Sequence, residues 1–199
     1  DQGCIFFWLF VALPVVVHAS ARAHTPLSGS PLVGDTSWVP RKKFYYFLKT
    51  MNIEEIRENE IEYCRGNPVY FVETYCHIED KDADELIQPF TLWPMQKQAL
   101  MDIHTHRLNA ILKARQLGFS WLAMSYAAYL LRCWTGRTAI GISRTEDEGK
   151  ELVRRLGVIF RHMPELVAEK GSVPDGWSGP VFEAQTLKVI ISFPNGPDS

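Results

Sequence analysis

The feature that most constrains the fold is a run of apolar segments, separated by polar turns, between residues 108 and 142. Residues 108–112 are a short apolar segment that predicts a buried strand, and residues 138–142 predict a second one. Between them, residues 121–133 form a strongly apolar run that predicts a buried helix. Strands that alternate with helices along a chain form parallel sheets, so the pattern predicts an α/β fold with helices on a parallel sheet.

The flanking sequence continues this alternation. Further helices are predicted over residues 52–65, 96–106 and 145–162, and further strands over residues 181–184 and 187–192. Pro94 fits the first turn of its helix, and Thr145 with Glu148 three residues later forms a capping-box pattern. Residues 69–75 are rich in aromatic and β-branched side chains and fit either a strand or a helix.

The turn between the first strand and its helix carries the residues best suited to chemistry. A phosphate-binding loop needs a buried strand, a turn whose N–H groups surround an anion, and a helix whose positive end faces it. Gly118 lets the backbone approach a phosphate closely, and Ser120 occupies the position whose hydroxyl binds Mg²⁺ in such loops. The turn consists of Lys113, Ala114, Arg115, Gln116, Leu117, Gly118, Phe119 and Ser120.

This turn departs from the usual pattern G-x-x-x-x-G-K-[ST] at two positions. Lys113 stands where the first glycine is usual, and Phe119 stands where the lysine is usual. Lys113, at the mouth of the loop, can bring its ammonium group to the β- and γ-phosphates from the other side. Arg115 adds a second cation that stays protonated. The turn alone fits either a phosphate site or a basic connection without a ligand.

The segment Ile111-Leu-Lys-Ala-Arg-Gln-Leu-Gly-Phe-Ser-Trp121 closely resembles the deviant Walker A motif of phage terminase large subunits, in which the lysine lies at the start of the loop. Residues 67–75 and 89–96 resemble the segments that precede this motif in the same family. Residues 140–145 resemble the next strand of the motor, and residues 193–199 resemble the loop shortly before its second acidic motif.

The resemblance covers about residues 60–199 and implies a P-loop NTPase fold of the RecA-like (ASCE) type. It implies that Lys113 binds the β- and γ-phosphates of ATP, that Arg115 acts as a cis arginine near the γ-phosphate, and that Ser120 ligates Mg²⁺. Gln96 is implied to contact the adenine. The remaining turn residues are implied to surround the phosphates: Ala114, Gln116, Leu117, Gly118 and Phe119.

The family also implies an activity and partners. The implied activity is that of an ATP-driven motor that moves double-stranded DNA into a procapsid. The implied partners are the DNA, a portal protein and a small terminase subunit, and the motor is implied to assemble as a ring oligomer without stable membrane association. The implied location is the host cytoplasm, transiently at the procapsid portal. We expect a lead-in subdomain over residues 51–88 and the first part of the ATPase domain over residues 89–199, with the rest of that domain and an endonuclease domain outside this sequence.

Residues 1–199 lack an acidic residue at the end of a predicted buried strand, where a catalytic carboxylate is needed. We therefore expect weak or no ATP binding, no measurable ATP hydrolysis and no DNA cleavage by residues 1–199 alone. The formal net charge of -2 shows no basic footprint of a nucleic-acid-binding protein. The six histidines lack metal-ligand spacing, and the four cysteines are expected to be free thiols. These are Cys4, Cys64, Cys76 and Cys133.

Residues 1–50 match none of these motifs. Residues 5–17 are apolar and precede small residues, as in a secretion signal, but no Lys or Arg comes before them. They are either a signal peptide or sequence upstream of a start at Met51, and the second interpretation is favoured because an ATPase motif follows. Two other classes stay open. A helicase-like DNA-translocating ATPase is disfavoured by Phe119, and a non-enzymatic exported domain leaves the loop unexplained.

Overall fold

The computed structural model describes residues 53–81, 83–112 and 117–199, and this part of the chain is mixed α/β. The N-terminal predictions, and four of the turn residues, Lys113, Ala114, Arg115 and Gln116, lie outside the described residues. The helices are α1 (Ile53–Arg65), α2 (Pro68–Tyr75), α3 (Pro94–Thr105), α4 (Phe119–Cys133) and α5 (Glu146–Arg161). The strands are β1 (His77–Glu79), β2 (Ile87–Pro89), β3 (Ala168–Glu169), β4 (Val181–Ala184) and β5 (Val189–Ser192).

The predicted helices are confirmed as α1, α3, α4 and α5. Pro94 begins α3, and the Thr145 hydroxyl accepts a hydrogen bond from the Glu148 N–H at 3.3 Å, as the capping pattern predicts. Residues 69–75, which fitted either a strand or a helix, are helical in α2. Pro68 occupies the first position of α2, where its missing N–H costs nothing, and Phe71 and Val72 are fully buried.

Helix α4 lies at the centre of the core and packs against α1, α2, α3 and α5. Eleven of its fifteen residues are buried, so it is apolar on nearly every face rather than along one stripe. Tyr129 illustrates its packing. Its ring lies 5.5 Å from Phe71 and 5.0 Å from Trp134, and its hydroxyl donates to the carbonyl oxygen of Arg65 at 2.6 Å. Helix α4 therefore provides a rigid base for the turn that precedes it.

The strands form two small sheets. Strand β1 pairs with β2 antiparallel, and in the second sheet β3 pairs with β4 parallel while β4 pairs with β5 antiparallel. The strands predicted over residues 181–184 and 187–192 are confirmed as β4 and β5, but they form a hairpin. The connection between them is too short for the crossover that parallel strands require. Phe182 and Ile191 face each other across this hairpin, and Phe182 packs 5.5 Å from Phe160 of α5.

The two segments predicted as buried parallel strands are not strands in the described part of the molecule. Residues 108–112 and 138–142 have no regular secondary structure, and most of their apolar side chains are exposed, although Ile111 and Ala139 are partly buried. Leu108 is 79% exposed, Leu112 80%, Ile140 48% and Ile142 57%. A strand exists only by hydrogen-bonding to a neighbour, and no described residue pairs with either segment. The parallel sheet expected around them is therefore absent from residues 53–81, 83–112 and 117–199.

The described helices differ from membrane-spanning helices in length or in polarity. Among them, none combines the length and the apolar character needed to cross a bilayer.

An ion network joins α5 to the first sheet and makes stability depend on pH. Arg154 donates to both carboxylate oxygens of Glu79 at 2.6 Å and to Glu151 at 2.7 Å. The Arg154 guanidinium lowers the pKa of Glu79, and it lowers the pKa of Glu151 to about 2. A carboxylate whose pKa is depressed on folding stabilises the fold above its unfolded pKa, and this contribution is lost as pH falls through its folded pKa.

We therefore expect Arg154→Gln to flatten the loss of stability between about pH 5 and about pH 2, and to lower stability at neutral pH only modestly because the groups are partly solvated. Urea unfolding across this range measures the effect. Arg144→Gln is the control, since Arg144 is 80% exposed and, among the described residues, forms its ion pair with Glu148 one turn along the chain. An unchanged pH profile in Arg154→Gln would rule out this network as the source.

Candidate phosphate-binding turn before helix α4

The described part of the predicted turn comprises Leu117, Gly118, Phe119 and Ser120. Gly118 has a left-handed backbone with φ of 69° and ψ of 5°, and it is the N-cap of α4. L-residues with a Cβ rarely adopt this conformation, so glycine is the residue expected there. Phe119 and Ser120 form the first turn of α4 and are half-buried. The turn thus delivers the chain directly into the N-terminus of a buried helix.

Gln96 links this turn to the start of α3. Its side chain is 4% exposed. The Oε1 atom accepts a hydrogen bond from the Trp93 N–H at 2.9 Å, and the Nε2 group donates to the Leu117 carbonyl oxygen at 3.0 Å. A Cβ atom added at Gly118 would lie 2.9 Å from Gln96 Nε2, which is too close. Two sequence segments that were predicted to share a site are therefore in contact in the structure.

The segment before α3 is itself held in place by Glu73 of α2. The Glu73 carboxylate accepts a hydrogen bond from the Leu92 N–H at 3.2 Å and pairs with Lys97 of α3 at 2.9 Å. Leu92 is 3% exposed. Glu73 was not singled out by the sequence, because a carboxylate in a short helix carries no motif. Its contacts fix the entry into α3, and through Gln96 they also support the turn.

The N-termini of α4 and α5 differ in a way that matters for anions. In α5 the hydroxyl of Thr145 caps the helix, and three acidic residues lie in the first turn: Glu146, Asp147 and Glu148. In α4 no side chain of the described residues caps the helix, and the first turn holds no acidic residue. The first N–H groups of a helix have no partner within the helix, and its N-terminus carries a partial positive charge. The N-terminus of α4 is thus suited to an external anion, whereas that of α5 is already neutralised.

Phe119 explains why the usual lysine position carries no cation here. Its ring packs against the hydrophobic core next to the buried residues of α4. An ammonium group at this position would lose hydration without gaining a partner there. A cation for this turn must therefore come from another position. The predicted roles of Lys113, Ala114, Arg115 and Gln116 stay predictions, since these residues lie outside the described ranges.

The metal-ligating capacity of the described residues is small. Across them, no group of three or more His, Cys, Asp or Glu side chains is arranged to hold a metal ion. Cys64, Cys76 and Cys133 are buried and free, as predicted, and burial raises the pKa of the Cys76 and Cys133 thiols to about 12. These thiols are therefore protonated at neutral pH. The assignment of Mg²⁺ to Ser120 stays a prediction.

No protein-family model matches the chain, and no curated protein matches it in sequence. The chemistry of this site therefore rests on the geometry of the turn and on its motif.

Proposed function

We propose that the turn before α4 binds the phosphates of ATP, and that the chain is the ATP-binding part of a phage terminase large subunit, which drives double-stranded DNA packaging. The observation that supports this most is the N-terminus of α4. It has no side-chain cap and no acidic residue, and the left-handed Gly118 precedes it. Helices α2 and α3 also lack a side-chain cap and an acidic first turn, but each begins with a proline and follows a residue with negative φ. Among the described helices, α4 is the one in which these two features follow a left-handed glycine, whereas α5 is capped by Thr145 and begins with acidic residues.

In this proposal each turn residue has a distinct task. The backbone N–H groups at the start of α4 hold phosphate oxygens, and Lys113 and Arg115 add the two cations that an exposed triphosphate needs. The Ser120 hydroxyl would ligate a bound Mg²⁺, whose chemistry is to bridge and neutralise phosphate oxygens. Gln96 lies at the base end of the site. Its hydrogen bond to the Leu117 carbonyl oxygen fixes the start of α3 relative to the turn.

The proposal includes a P-loop type of sheet. Residues 108–112 and 138–142 would be its parallel strands on either side of α4, with the turn at the carboxyl end of the first. Their exposed leucine and isoleucine side chains support this, because such apolar residues are normally covered in a parallel sheet. The sheet requires neighbouring strands that the described residues do not provide. By family resemblance, the partners would be DNA, a portal protein and a small terminase subunit in a ring at the procapsid portal in the host cytoplasm.

The contrast between two helix N-termini supplies a test within one molecule. Isotope-labelled protein is titrated with ATP and Mg²⁺, and the backbone amide resonances are followed. We expect the amides of Phe119, Ser120 and Trp121 to shift, because they are free to bind phosphate, while those of Asp147 and Glu148 stay in place.

The expected affinity is weak, on the order of 1 mM, which corresponds to about 4 kcal/mol. Inorganic triphosphate should cause the same pattern of shifts, since the phosphates carry the interaction. Equal shifts at the two N-termini would indicate nonspecific ionic effects. An absence of shifts near Gly118 at saturating ligand would contradict the proposal.

A further inference from the structure

Trp93 presents an exposed ring at the start of α3. Its side chain is 58% exposed, although a large aromatic surface in contact with water is unfavourable. Within the described ranges, the ring stacks on no other aromatic ring and on no cation. The following residue, Pro94, is the first residue of α3 and limits the backbone there. Trp93 therefore offers a free aromatic face on a fixed part of the backbone.

The position of Trp93 relative to the turn is set by one side chain. The Trp93 amide nitrogen and the Leu117 carbonyl oxygen bind the two polar atoms of the same Gln96 amide group. They therefore lie within roughly 8 Å of each other. The partly buried contact between Glu73 and the Leu92 N–H supports the same segment from α2. The exposed indole and the open N-terminus of α4 consequently belong to one rigid neighbourhood.

Gln96 itself has little left to offer a ligand. Its amide oxygen and its amide nitrogen each bond a backbone group, and only 4% of the residue is exposed. One amide hydrogen and one lone pair remain, but both are shielded from solvent. Of these two neighbouring side chains, the indole of Trp93 is the one that is exposed to a base, and the amide of Gln96 is not.

We propose that Trp93 is the stacking surface for the base of a purine nucleoside triphosphate, and that Gln96 is a positioning residue that holds Trp93 in register with the turn. This inference rests on the proposed phosphate site before α4. Stacking on an aromatic face tolerates any base but favours the larger ring system, and it does not distinguish adenine from guanine by hydrogen bonds. ATP and GTP therefore bind similarly, and both bind better than CTP or inorganic triphosphate.

The test separates the phosphates from the base. Binding of ATP, GTP, CTP and inorganic triphosphate, each with Mg²⁺, is measured by ligand-observed NMR for the parent, Trp93→Ala and Trp93→Phe. In the parent, ATP and GTP are expected to bind roughly tenfold more tightly than inorganic triphosphate. Trp93→Ala removes that tenfold gain and leaves triphosphate binding unchanged, whereas Trp93→Phe keeps most of it. Met95→Ala, which removes a 79% exposed side chain two residues away, is the matched control and keeps the gain.

The positioning role is read from Gln96→Ala. This variant is expected to weaken the binding of ATP and GTP by the same factor, so that their ratio stays constant. The inference is overturned if Gln96→Ala changes the ratio of the ATP and GTP affinities. It is also overturned if Trp93→Ala still binds ATP roughly tenfold more tightly than inorganic triphosphate. Neither result contradicts the proposed phosphate site. If inorganic triphosphate fails to bind the parent, the proposed function fails and the inference fails with it.

Discussion

Lys113→Ala is expected to lower the affinity for ATP and for inorganic triphosphate by about 10- to 100-fold, because a hydrogen bond to a charged group contributes about 1.5–3 kcal/mol. In the proposed site, Lys113 is the cation at the mouth of the turn. The position where phosphate-binding loops usually carry lysine is occupied by Phe119, whose ring packs on the core, so this position supplies no cation that could replace Lys113. Ligand-observed NMR with each compound in the presence of Mg²⁺ measures the loss.

Two variants control this result. Lys113→Arg keeps the positive charge and is expected to retain most of the affinity. It therefore distinguishes the loss of the charge from a structural change caused by any substitution at this position. Phe119→Ala removes packing rather than charge, so it should lower stability while changing affinity less. Parent-like triphosphate binding by Lys113→Ala would show that the phosphates are held elsewhere. A loss in Phe119→Ala as large as in Lys113→Ala would lead to the same conclusion.

Gly118→Ala is expected to destabilise the fold by roughly 2–3 kcal/mol. The left-handed backbone of Gly118 disfavours a Cβ atom by about 1–2 kcal/mol. The added atom would also approach Gln96 Nε2 to 2.9 Å, which displaces the amide from Leu117 and removes a hydrogen bond worth about 0.5–1.5 kcal/mol. For a chain of this size, the midpoint of thermal unfolding should fall by roughly 5–10 °C, measured by circular dichroism.

Gly176 offers a control with nearly the same backbone. Its φ is 76°, and no atom lies within 4 Å of the position that a Cβ would occupy. Gly176→Ala should therefore show only the backbone cost, and the difference between the two variants reports the contact with Gln96. In a Gln96→Ala background, Gly118→Ala should cost less, because the crowded atom is gone. Equal losses in the two glycine variants would mean that the Gln96 contact does not stabilise this turn.

Local signals in the sequence predicted the helices well. The Thr145 cap and the position of Pro94 mark helix starts through their own chemistry, whatever the rest of the chain does. Strand pairing was harder to predict. The apolar character of residues 108–112 and 138–142 indicates that they favour burial, but a strand also needs a neighbour, which composition does not reveal. The antiparallel pairing of β4 and β5 was not predicted, although their short connection permits no crossover between parallel strands.

The sequence indicated that Gln96 and the turn lie close together, while their roles in a site stay predictions. The motif brought Gln96 and Gly118 together, and the structure places them in contact. The sequence did not indicate that both amide atoms of Gln96 bond the backbone, because that depends on where α3 and the turn lie in space. It also did not separate Trp93 from the core aromatic residues, since exposure follows from tertiary packing and not from residue type.

The uncovered apolar segments also determine how the purified protein behaves in concentrated solution. Residues 108–112 and 138–142 carry exposed aliphatic side chains, and their backbone groups pair with none of the residues that the structure describes. This combination favours association between the edges of separate molecules. Colloidal stability will therefore fall as the protein is concentrated, and the small net charge of -2 gives little repulsion to oppose it. Leu108→Lys or Leu112→Lys would replace a side chain that is about 80% exposed with a charged one, and the added charge should oppose association between molecules.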